Sequence, residues 1–99
     1  MITVEFFESE GNLTGFDIKG HALFAAHGSD IVCSAVSSAA IMAANTITEV
    51  FGETPLIETG EGHLLLKGVK SQSSQGVLGG LKLHLEQLAQ QYPANLTVS

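Results

Sequence analysis

The chain opens on a pattern of two. In "ITVEFFE" β-branched and aromatic positions partly alternate with polar ones, which predicts a strand over about 2–8. "SEGN" is a turn signal, and "LTGFDIKGH" continues the period as a second strand at about 13–20, so the two form a hairpin. Gly20 closes that strand. The pattern then changes: a helix starts near Ser29 or Asp30, both good N-cap residue types, and runs to about Val50 or Phe51, with Gly52 as its stop. "PLIETGEGHLLLKGV" predicts two short strands, about 55–59 and 62–69, around Gly60–Gly62. Leu78, Leu81, Leu85 and Leu88 recur at helical spacing, placing a second helix at about 74–91 ahead of Pro93. "NLTVS" supplies a final edge strand. The expected fold is α+β and two-layered, with two helices packed on a mainly antiparallel sheet in the order ββα-ββα-β, all within one domain spanning 1–99.

Composition narrows the function. Apolar residues make up 44% and charged residues 14%, the balance of a chain with a buried core. Four basic residues against ten acidic ones give a net charge of -6, which argues against direct nucleic-acid binding and favours basic ligands. The single cysteine excludes an intrachain disulfide framework. "MITVEFFESEG" carries neither a basic nor an apolar leader segment, and a cytoplasmic protein is expected. Residues 31–48 lack charge and approach membrane-spanning length, yet hold six Ser, Thr or Asn residues. They read as a helix covered on several sides, a second subunit among the candidate covers, rather than a membrane span.

Chemistry concentrates in "GHALFAAHGSDIVCSAVS", residues 20–37. With Asp30 as N-cap, Cys33 occupies the third helical position. Its sulfur then leans toward unpaired amides that favour a thiolate, while the Asp30 carboxylate opposes one. Ser37 lies one turn on, on the same face. His21 follows a strand end, where an imidazole can be mounted rigidly. A Cys–His pair with backbone amides for the oxyanion is sufficient for acyl transfer. On spacing alone, the cysteine can equally be an inert small hydrophobe. A third alternative is zinc held by His21, His27 and Cys33, evenly spaced by six, but no second cysteine or clear fourth ligand accompanies them. No metal and no cofactor are expected. His63 and His84 read as surface or partly buried residues.

As a whole string the stretch is more specific. Gly-His-Ala, a loop, and then Gly-x-Asp-Ile-Val-Cys-x-Ala-Val-Ser resembles the signature of the bacterial ribosomal-processing cysteine protease family, also called Prp or YsxB-like, and the likeness extends over the chain's length and element order. The resemblance implies an endopeptidase that removes a short N-terminal extension from large-subunit ribosomal protein number twenty-seven, cutting after a Phe-Phe pair. Some relatives act on phage structural proteins. By position, Cys33 matches the nucleophile and His21 the general base, with Asp30 and Ser37 in supporting roles. The resemblance also implies a homodimer. Leu23 and Phe24, in the loop between His21 and the helix, are candidate contacts for the substrate's aromatic side chains. Two departures stand out: "ALFAAH" leaves only Gly28 in a loop that is often glycine-rich, and Ser34 replaces the more usual alanine. The contrasting expectation is a non-catalytic, ribosome-associated dimeric module in which Cys33 is structural or redox-sensing.

Overall fold

Alternation in the first strand translates directly into a two-sided sheet. The structure, a computed structural model, describes residues 1–20 and 27–99, and for residues 27–30 the backbone only. Strand β1 (Ile2–Ser9) buries Ile2, Val4 and Phe6 on one face. It turns through Glu10 and Gly11 into β2 (Asn12–Lys19). Both turn residues have positive φ, 53° and 81°, the twist that a two-residue hairpin requires. Helix α1 (His27–Asn45) follows, then a π-helical turn (Thr46–Val50), β3 (Leu56–Gly60), β4 (His63–Lys67), α2 (Gln72–Gln91) and β5 (Leu96–Val98). The element order is the expected ββα-ββα-β.

The five strands lie in the order β3-β4-β2-β1-β5. All pairs are antiparallel except β5, which runs parallel to β1. Both helices cover one face. Between the layers Phe6 and Phe16 meet at 6.1 Å between ring centroids, and Leu66 joins them from β4. Val32, Val36, Ala40 and Ile47 come from the first helical segment, and Leu78, Leu81 and Leu85 from α2. Leu88, the last of the predicted stripe, packs at the margin of this core.

Two details of the first helix differ from expectation. Among the described residues it is already helical at His27, ahead of Ser29 and Asp30. Asp30 is therefore not its N-cap, and Cys33 falls in its second turn. At the other end the helix loosens into the π turn, where the Phe51 N–H donates to the Thr46 carbonyl at 2.9 Å, and Gly52 (φ 70°) stops it. Among the described residues, Ile31–Val50 is the one stretch long and apolar enough to cross a membrane, with mean hydropathy 1.6. Here its inner face lies against the sheet.

Candidate active site

Where β2 ends, the chain is tightly specified. The Gly20 N–H donates to the Gly62 carbonyl at 2.9 Å, tying this end of β2 to the turn between β3 and β4. Gly20 has φ 86°, and a Cβ there would collide with the Met1 carbonyl oxygen. Only glycine satisfies both conditions, so the backbone at this end of β2 is fixed by local sequence.

Beside that strand end opens a cleft of about 290 Å³. Cys33 and Ser37 of α1 line one wall, with Ala40 and Ile41 continuing it, and Gly20, Thr59, Gly60 and Leu64 form the strand side. Cys33 is a free thiol, partly exposed, and Ser37 is exposed. The spacing of four thus brings a thiol and a hydroxyl to one cleft. In a helix already formed at His27 the amides lacking intrahelical acceptors belong to the first turn. Cys33 lies beyond them, which corrects the expectation that those amides lie close behind its sulfur.

His21, Leu23 and Phe24 lie outside the described residues. Asp30 is placed as backbone in the first turn of α1, and His27 likewise begins that helix. No cluster of His, Cys, Asp or Glu suited to a metal ion occurs among the described residues. The zinc alternative drew on His21 and His27, so it too falls largely outside them.

One polar cluster escaped the sequence reading. His63 Nε2 lies 2.7 Å from Asp17 Oδ1, and Lys19 Nζ lies 3.3 Å from Asp17 Oδ2. Ile18 and Leu64 face the helices, so by alternation Asp17 and His63 project from the opposite face. His63 borders the cleft, yet its ring is committed to a carboxylate on the far side of the sheet. The pairing of Lys19 with His63, which sets Asp17 diagonal to the histidine, is the signal that would have revealed it. His84 is exposed on α2, as expected, away from this cleft.

Comparison with known proteins points the same way. The family model described as cysteine protease Prp matches residues 1–97. The ribosomal processing cysteine protease Prp of Bacillus subtilis is 32% identical over 95 residues, covering 88% of this chain and 85% of the relative. Two crystal structures of the Staphylococcus aureus ribosomal processing protease Prp superpose closely. One, with a substrate peptide, is 27% identical with a TM-score of 0.90; the other, with a covalently linked product peptide, is 28% identical with a TM-score of 0.87. Each covers 100% of this chain and 98% of its own.

Proposed function

The chain belongs to the cysteine protease Prp family and is a cysteine protease, and from that premise we propose that it is an endopeptidase removing the short N-terminal extension of large-subunit ribosomal protein number twenty-seven. The reading as a non-catalytic module is set aside by that membership. The observation that carries the proposal is the cleft itself: the only cysteine of the chain stands on its wall, opposite the strand end that leads into His21.

In this mechanism the Cys33 thiolate attacks the scissile carbonyl, and the electron pair of the C=O bond moves onto oxygen. His21 accepts the thiol proton and delivers it to the leaving amine as the C–N bond breaks. It then takes a proton from water, whose attack on the thioester releases the acid and restores the thiol. With the first-turn amides of α1 away from Cys33, the Ser37 hydroxyl is a donor for the oxyanion or the bound peptide, a role worth on the order of 10²-fold in rate. Asp30 supports the site from the first turn of α1, and Leu23 and Phe24 contact the leader's aromatic side chains. The enzyme acts in the cytoplasm without a cofactor, and phage structural proteins bearing a similar sequence are further substrates. Two copies associate through the outer face of α1, where Ile31, Ile41 and Met42 are each more than half exposed.

The test is incubation with a leader peptide carrying Phe-Phe. Wild type is expected to cut after the pair, and Cys33→Ser and His21→Ala to be inactive while remaining folded. Cleavage that persists in Cys33→Ser would remove the mechanism.

A further inference from the structure

Among the described residues, strand β3 is an open edge of the sheet. It lies outermost in the sheet, and all five of its residues are exposed. Natural edge strands are usually blunted by inward charges, proline or a covering segment, because their unpaired backbone groups invite a further strand. Here Leu56 and Ile57 remain 49% and 39% exposed, and among the described residues no backbone group outside the sheet pairs with β3.

Register identifies which groups are free. Gly60 pairs with His63 across a two-residue turn, so these two residues exchange hydrogen bonds, and bonded and non-bonded pairs alternate from there. The Gly20–Gly62 bond fixes the same parity from the other side, since it turns the Gly62 carbonyl toward β2. Ile57 and Thr59 therefore direct N–H and C=O groups outward. Their side chains share the helix-facing side of the sheet with Leu66 and Leu64, and Thr59 lines the cleft that holds Cys33.

We propose that the substrate peptide binds as a sixth strand on the outer edge of β3, held by the main-chain groups of Thr59 and Ile57. The residue opposite Thr59 then presents its side chain to the Cys33 cleft. The edge is continuous with that cleft, which is why its occupant is the extended peptide rather than another element. Glu58 on β3 and Glu61 in the adjoining turn are exposed, and their charge suits a basic leader. Backbone pairing confers affinity with little regard to sequence, while the apolar cleft walls Ile18, Ile41 and Leu64 select a large apolar side chain. This inference rests on the protease reading and assigns how that site takes its substrate.

The test measures binding of a labelled basic peptide containing Phe-Phe to the Cys33→Ser protein, which cannot turn it over. An N-methyl scan along the peptide is expected to weaken binding about tenfold at alternate residues and little between them, the period of a paired strand. Thr59→Pro removes an outward N–H and is expected to weaken binding comparably, in protein shown by circular dichroism and thermal melting to be folded. Uniform tolerance of N-methylation, with the parent peptide still cut by wild type, overturns the edge site and leaves the protease reading standing. Alternating sensitivity with no cleavage by wild type supports the edge and counts against the protease reading. If Thr59→Pro instead converts a dimer to a monomer in sedimentation without changing peptide binding, the edge belongs to a second copy and the proposal fails.

Discussion

At Gly20 two constraints coincide, a φ of 86° and a Met1 carbonyl in the place a Cβ would take. Gly20→Ala is expected to cost more than the roughly 1–2 kcal/mol usual for a non-glycine residue held at positive φ, because the Met1 carbonyl must also move. Because His21 is the next residue, the loss of kcat/KM should exceed the loss of folded protein. Thermal melts and peptide cleavage, compared at a temperature where both proteins are folded, check this; activity falling only with the folded fraction would show that Gly20 does not aim His21. Ser37 makes a different prediction. It is exposed and on the cleft wall, so Ser37→Ala should lower kcat on the order of 10²-fold with Tm unchanged. Both residues were legible in the sequence, Gly20 as a strand stop and Ser37 by its spacing of four from Cys33. The Asp17–His63 contact was not, because it depends on the register of two strands more than forty residues apart in sequence, and no local pattern encodes that register.

Among the elements, α2 depends on a residue outside it. Its N-cap Ser71 accepts from the Ser74 N–H, and both serine hydroxyls donate to Oε2 of Glu53, at 2.7 and 2.6 Å. Oε1 accepts from the Lys70 and Ser71 amides at 2.6 and 3.0 Å. Burial alone would raise the Glu53 pKa, but the bonds from Ser74, Lys70 and Ser71 outweigh it and hold the carboxyl at about 2, against an ordinary 4.5. A depressed folded pKa means that the stabilisation is complete above about pH 5 and is lost as pH falls from there toward 2. Glu53→Gln should therefore destabilise by up to about 2 kcal/mol near neutrality and by little near pH 2, measured by urea unfolding at the two pH values. An undiminished gap in acid would mean that the charge of Glu53 is not what holds α2. The leucine stripe announced this helix, yet the glutamate anchoring it lies some twenty residues away across two strands. Helical periodicity reports the face an element buries, whereas caps supplied from elsewhere appear only once the chain has folded.

For the whole molecule, hydrophobic pattern was enough to give the layers and the element order, because both follow from which residues must leave water. It did not give the parallel pairing of β5 with β1, since a three-residue strand reads alike in either direction. The uncharged character of α1 was legible as a helix with little solvent exposure, but the structure divides it: Val32, Val36 and Ala40 enter the core, while Ile31, Ile41 and Met42 remain outside. If that outer face joins two copies, Ile41→Asp should convert a dimer to a monomer in sedimentation, and unchanged mass would show that α1 is not the interface. Charge acts at the same scale. Ten acidic residues against four basic ones give a net charge of -6, a field that would favour the approach of a basic peptide before any contact forms. Such steering is screened once the Debye length shrinks from roughly 10 Å at 0.1 M salt to about 3 Å at 1 M. Raising salt over that range should lower kcat/KM for a basic peptide several-fold, mainly through slower association, and leave kcat nearly constant. Alkylation of Cys33 by a neutral reagent, measured in parallel, should not change. A kcat/KM insensitive to salt would mean that the acidic surface plays no part in capture, leaving recognition to the cleft and its neighbouring strand.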